Sequence, residues 1–262
     1  MQLNLWKGLV ALAVITPALW LAGHAPLEMP SQLTALLLLS GALGIGLGDT
    51  AFFNALNRLG ERNTVLVAET TAPLLALLGA GLWLGEWPGP LKLLGMGAVL
   101  GGVALVLVQP GEKNSATGRV LKAGLGWALL AALCQAGGAV ITRLAFLRAD
   151  VAASDSAWLR LLGGALLLSL LLPLRHQRYL PTRVSPRLML AVALAALIGT
   201  VGGIIFQQLA FKHTQAAVAQ TSLAMSVLFV LVLNTLGGKP STGRVWLGVL
   251  LSVAGVGLLY AG

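Results

Sequence analysis

Nine apolar runs, each about as long as a bilayer is thick, follow one another along this chain. They cover about 8–23, 33–55, 64–84, 91–109, 123–143, 156–174, 188–210, 216–236 and 243–261. A helix needs roughly 20 apolar residues to cross the hydrocarbon core. Of the 262 residues, 57% are hydrophobic and 10% charged, against about 25% charged in a soluble domain, so lipid is the only place for this much apolar surface. Alternation at period two is absent from the runs, which excludes a membrane barrel. Lipid offers no partners to backbone N–H and C=O groups, so the fold class is an all-α, polytopic membrane helical bundle.

The chain also repeats itself. Shifted by 153 positions, one half falls on the other. Lys7 meets Arg160 and Leu9 meets Leu162; Leu75, Leu78 and Gly85 meet Leu228, Leu231 and Gly238. Leu94, Gly95, Gly102, Val103 and Leu105 meet Leu247, Gly248, Gly255, Val256 and Leu258. Runs one to four thus correspond to runs six to nine, and run five has no counterpart upstream. A full unit has five helices, and the first unit lacks its first, giving nine helices as 4+5. An odd unit inverts on repetition, the arrangement of many carriers. The expected division is a four-helix first repeat over 1–109, a polar linker over 110–122 and a five-helix second repeat over 123–262. The natural protein is expected to have ten helices, with this chain starting at an internal methionine.

The net charge of +9 lies almost entirely between the runs, which reads as loop charge rather than a nucleic-acid surface. Cys134, the only cysteine, sits inside a run and reads as a small packing residue. The first run lacks a small-residue cleavage site and reads as a retained helix. His24, His176 and His213 fall in separate loops without metal-ligand spacing, and no P-loop occurs, so no metal, cofactor or ATP drive is expected.

The run Gly48-Asp49-Thr50-Ala51-Phe52-Phe53-Asn54-Ala55-Leu56 resembles the glycine-then-aromatic helix of the EamA-type transporters of the drug/metabolite transporter superfamily. So do Thr70, Thr71, Ala72 and Pro73, then Leu84-Gly85-Glu86, then Gly95 and Gly102. The second half follows with Phe206-Gln207-Gln208-Leu209-Ala210, Gly238 and the stretch from Gly248 to Val256. The resemblance implies two inverted five-helix units and carriage of small solutes such as amino acids, drugs or other metabolites, often outward. It also implies a bacterial cytoplasmic (inner) membrane location. Glu86 is answered by Lys239, and Pro73 by Ser226 or Val227, so the halves have diverged.

Lys7, Arg58, Arg62, Lys113, Arg119, Lys122, Arg175, Arg178, Arg183, Arg187, Lys239 and Arg244 share the side of the chain start, twelve basic residues in all. Lys92, Arg143, Arg148 and Lys212 lie opposite, with Arg160 just inside run six. The positive-inside rule puts the twelve in the cytoplasm. The resemblance implies the reverse, since it places both ends of a ten-helix chain inside.

Acids at membrane depth mark functional sites or ion pathways. Asp49 and Glu69 flank one short connection at a similar depth, roughly 9–10 Å in at 1.5 Å per residue. They read as ion-coupling groups, or as partners of Arg58 and Arg62. Pro73 removes the N–H that would pair with the Glu69 carbonyl. Asn54, Thr70, Thr71, Gln207, Gln208 and Gln220 are candidate solute-binding groups. For each alone, interhelical hydrogen bonding is the simpler role. Lys7 and Arg160 read first as snorkelling to headgroups, although Arg160 lies deeper and could contact an anion. Gly44 and Gly48, Gly97 and Gly101, and Gly199 and Gly203 have the spacing of close helix crossings.

The function that fits is a secondary carrier working by alternating access. A membrane-embedded enzyme would need a catalytic constellation, and the chain offers only Asp49 and Glu69 at depth. A non-transporting scaffold has no need of an inverted repeat. The expected partners are a small solute and the lipid bilayer, without nucleic acid, and a homodimer stays open.

Overall fold

A computed structural model of the chain describes residues 2–108, 118–174, 193–194, 196–237 and 242–261. The first part of the expected linker, the start of the seventh run, His176, Gly238, Lys239 and the basic residues Lys113, Arg175, Arg178, Arg183 and Arg187 lie outside the described residues. Every regular element among the described residues is helical.

The order is α1 (Gln2–Leu21), α2 (Ser31–Gly41), a π-helical stretch π1 (Ala42–Gly48), α3 (Asp49–Leu59), α4 (Glu61–Leu84), α5 (Pro90–Leu107), α6 (Gly118–Arg148) and α7 (Ala153–Leu174). A second π-helical stretch, π2 (Ala196–Gly202), then leads into α8 (Gly203–His213), followed by α9 (Ala216–Ala224), α10 (Ser226–Leu236) and α11 (Gly243–Ala261). Seven helices among the described residues are long and apolar enough to cross a membrane. The second run is one of them, since α2, π1 and α3 form a single 29-residue span. The eighth run is different: it breaks at Met225 into α9 and α10.

Many large apolar side chains face outward, among them Leu82, Trp83, Ile198, Phe206, Phe229 and Leu250. On a soluble protein such a surface would drive association; in a bilayer it is the lipid face. Helix ends are set by glycine where the backbone turns left-handed. Gly85 ends α4 at φ 70°, and Gly60, at φ 77°, separates α3 from α4. A side chain with a Cβ is strained at either position.

The chain forms two compact units, each drawing helices from both halves of the sequence. The first comprises Met1–Thr50 and Gly137–His213. Its interior is built where α2 and π1 cross α7. The crossing is nearly backbone to backbone: a Cβ on Gly41 would collide with the Arg160 carbonyl, and one on Gly163 with the Leu38 carbonyl. Gly164 would meet Ile45 at 2.8 Å. Small residues let helices approach this closely where lipid supplies no hydrophobic drive. Around the crossing pack Ala11, Ile15, Leu19, Ala157, Leu161 and Ile204.

The second unit comprises Ala51–Ala136 and Thr214–Gly262. Its most extensive helix contact joins α5 and α11, the fourth and ninth runs. A Cβ on Gly95 would lie 2.7 Å from the Gly255 carbonyl oxygen, and one on Gly255 lies 2.8 Å from that of Gly95. Gly102 and Gly248 face each other in the same reciprocal way. Gly95 meets Gly255 while Gly102 meets Gly248, so the two helices run antiparallel.

The glycines chosen by local spacing fare less well. A Cβ on Gly97, Gly199 or Gly203 would meet nothing within 4 Å, and one on Gly101 only Leu251 at 3.9 Å. Gly44, buried against Arg160, does sit at a crossing.

Candidate functional site

The two π-helical stretches begin at Ala42 and Ala196, 154 positions apart, within one residue of the repeat offset. Each gives way to an α-helix, at Asp49 in one half and Gly203 in the other. A π-helix has one residue too many per turn, so some carbonyls lose their usual partner, and such stretches cluster at functional sites. In π1 side chains make good part of the loss. Asn4 Nδ2 donates to the Ile45 carbonyl at 3.1 Å, and Thr50 Oγ1 to that of Gly46 at 2.7 Å.

Asp49 follows directly, half-buried in the first unit. Asn4 also hydrogen-bonds its carboxylate, and Lys7 and Arg160 both attract it. The two residues that share a repeat position therefore converge on one acid. Lys7 does not stand in the loop, as its place in the sequence suggests. It lies inside α1 and half-buried, because that helix already covers Gln2. Arg58 and Arg62 bond backbone carbonyls: Arg58 Nη1 that of Asn54 at 2.8 Å, and Arg62 those of Leu107 and Val106.

Arg160 is only 3% exposed. Its Nη1 donates to Gln207 Oε1 at 3.3 Å, and its guanidinium carbon lies 5.9 Å from the Phe211 ring centre. One turn earlier on α7, Ser156 Oγ donates to Gln208 Oε1 at 2.9 Å, with both residues fully buried. Asp49, Gln207 and Gln208 are thus gathered on the first unit, with Gln207 bonded directly to Arg160 and Asp49 within reach of its charge. Arg143 is not a free loop charge. Its Nη1 holds the Phe211 and Lys212 carbonyls at 3.0 and 2.8 Å, which caps the end of α8 with a cation.

The other predicted residues belong to the second unit. A cavity of about 490 Å³ opens there, lined by Glu61, Arg62, Glu69, Phe52, Ser226 and a wall of valines with Leu107. Its size suits a small solute. Glu69 reaches it from α4, which passes through buried Pro73 without ending. Thr70 Oγ1 donates to the Leu66 carbonyl at 2.6 Å, spending its proton on its own helix. Thr71 is half-buried one residue on. Asn54 supplies its carbonyl and Oδ1 to Arg58. Gln220, 4% exposed, donates Nε2 to Gln135 Oε1 at 3.3 Å. Glu86 serves the fold, since its carboxylate accepts the N–H of Ala216, the first residue of α9, at 3.2 Å.

Asn4, Ser156 and Gln135 escape a reading of the sequence. Polar residues outside the matched register give no signal of their own. The repeat register alone marks Lys7 and Arg160.

Apolar spans around buried polar clusters define a polytopic membrane protein. The EamA-like transporter family matches residues 1–108 and 122–261. The chain belongs to that family and is an integral membrane protein that transports small molecules, with a solute and lipid as its partners. It is also similar to a solved crystal structure of another protein, with a TM-score of 0.79 and 20% sequence identity over 99% of this chain and 86% of that one. That likeness is one of fold. No curated protein matches the chain.

Proposed function

We propose that this protein is a secondary carrier that moves a small metabolite, such as an amino acid or drug, by alternating access in a bacterial cytoplasmic membrane. The observation that carries the reading is the reciprocal, antiparallel packing of α5 on α11 about matched glycines. Two equivalent helices lying antiparallel support an inverted repeat over 1–109 and 123–262, the architecture on which carriers rock about a fixed site. The π-helical stretches at matched positions lend support, since a local change of winding is a natural hinge. Asp49 and Glu69 are assigned to ion coupling. Asn54, Thr70, Thr71, Gln207, Gln208 and Gln220 are assigned to orienting the solute.

Proteoliposomes loaded with a broad amino-acid and metabolite panel, with and without a pH gradient, test this. Wild-type protein should move at least one solute faster under the gradient, and the direction of acceleration reads out export or uptake. Asp49→Asn and Glu69→Gln should each blunt that response. Flux indistinguishable from empty liposomes across the panel overturns the carrier. Unchanged pH response in both variants removes the coupling role.

A further inference from the structure

Two buried hydrogen-bond donors on the first unit meet no acceptor: Arg160 Nε and Gln208 Nε2. Leaving a buried donor unmet is costly, and native interiors keep few of them. These two share one interface. Arg160 and Ser156 lie one turn apart on α7, and Gln207, Gln208 and Phe211 face them from α8. A helical side chain leans toward the N-terminus of its own helix, so Arg160 leans toward the turn where Ser156 holds Gln208. Gln208 Oε1 takes the Ser156 hydroxyl, and Arg160 Nη1 holds Gln207. What the interface lacks is an acceptor.

The charges say which kind. Lys7 and Arg160 supply two positive charges near Asp49, which supplies one negative, leaving one surplus positive charge. Several other charged groups of this unit, among the described residues, have partners elsewhere. Asp155 pairs with His24 at 3.1 Å, Lys212 with Asp150 at 2.6 Å, and Arg143 with the end of α8. A single carboxylate cancels the surplus and offers two acceptor oxygens to a guanidinium edge and an amide. A phosphate, at nearly two negative charges, would overshoot it.

We infer that Arg160 and Gln208 form the recognition point for the carboxylate of the transported solute, so that the substrate class is small organic acids bearing one carboxylate. The inference rests on the carrier reading above. Asp49 is then the resident carboxylate that holds Arg160 in place, and Gly44, whose Cβ would lie 3.2 Å from Arg160 Nη2, keeps a side chain from crowding it.

Binding to the purified full chain tests this without reference to flux. The probes are acetate, lactate, benzoate and leucine, each against its primary amide, measured by calorimetry and by thermal stabilisation. At least one acid should bind about tenfold or more tighter than its amide, the value of a charge-assisted hydrogen bond. Gln208→Leu, which keeps the packing volume, should weaken the acid about tenfold and leave the amide unchanged. Arg160→Lys keeps the charge and loses the fork, so it should retain part of the preference that Arg160→Gln loses. Acids and amides binding alike, no acid binding, or acid affinity unchanged in both Gln208→Leu and Arg160→Lys would each overturn the inference. Inorganic phosphate displacing the acid at equal concentration would do the same. Flux of neutral solutes without acid binding leaves the carrier standing and sinks the carboxylate site. Acid binding that depends on Arg160, without flux of any solute, does the opposite.

Discussion

Ser252 donates its hydroxyl to the backbone carbonyl of Val99 at 3.2 Å, and the two residues are counterparts in the repeat, 153 positions apart. A residue that touches its own counterpart lies where a two-fold axis would pass. Gly95 against Gly255, and Gly102 against Gly248, flank that point symmetrically. A Cβ on Gly102 would meet the Gly248 carbonyl and, at 3.0 Å, the Ser252 backbone nitrogen, as well as the Ser252 hydroxyl, and the backbone atoms among these leave it no room to escape. Gly102→Val should therefore destabilise the protein by about 1–3 kcal/mol, the usual cost of overpacking. Gly97→Val, on the exposed side of the same helix, should be close to neutral. Thermal unfolding of the two variants in one detergent checks this. Equal losses would mean that α5 does not pack on α11 through Gly102.

Glu86 lies just beyond α4, yet its carboxylate holds the first N–H of α9. The first N–H groups of a helix have no partner within it, and its dipole favours an anion there. Glu86→Ala should cost about 1 kcal/mol, as loss of a helix N-terminal cap does, and Glu86→Gln less. The readout is again the unfolding midpoint. Transport by folded Glu86→Gln should match wild type, since the residue acts on a helix end rather than on solute. A full loss of stability on Glu86→Gln would show that the charge, and not the acceptor, is what α9 needs.

The number and order of the spans are readable because each run has to be long and apolar to cross lipid. The register of the repeat is readable for a similar reason. It requires one helix face to match another over many turns, and it singles out Gly95, Gly102, Gly248, Gly255, Lys7 and Arg160. Local motifs carry less. In so glycine-rich an apolar chain the small-xxx-small spacing arises readily, and Gly97, Gly199 and Gly203 have it without a neighbour to face. The π-helical stretches are invisible, because an added residue in the winding leaves hydropathy unchanged. The break at Met225 is hidden in the same way. Lys7 misleads because a lone cation at the edge of an apolar run looks the same whether it stands in a loop or inside the helix.

Asp150 offers a test in acid. It lies in the short segment between α6 and α7, exposed, with Lys212 Nζ 2.6 Å from its carboxylate. The hydrogen bond and charge of Lys212 hold its pKa below the ordinary value. A depressed pKa means that the folded state binds this proton less readily than the unfolded one. The contribution to stability is present above the unfolded pKa and is lost as pH falls through the folded one. Asp150→Asn should therefore lower the unfolding midpoint slightly at neutral pH, and the two curves should merge in strong acid. The gap should shrink in high salt, since the pair is exposed. A gap that stays constant from neutral pH into strong acid would rule out the ion pair as its origin.

Asp49 and Arg160 bear on each other more heavily, because Arg160 is almost wholly buried. Removing one member of a buried pair leaves the other charge without compensation, at a cost of about 3–5 kcal/mol. Asp49→Asn leaves two cations, Lys7 and Arg160, around a neutral amide. It should be the most destabilising of the single changes at this cluster. Arg160→Gln leaves Asp49 with Lys7 and Asn4, which already face it, and should cost less. The double variant Asp49→Asn/Arg160→Gln removes one charge of each sign and should recover part of the loss. The expected coupling is about 0.5–3 kcal/mol, the range for residues that share one charge network. Unfolding midpoints of the four proteins complete the cycle. Strict additivity would mean that Asp49 does not hold Arg160. The cluster would then lose its resident carboxylate, and the assignment of Asp49 as the group that positions Arg160 for a solute acid would fall.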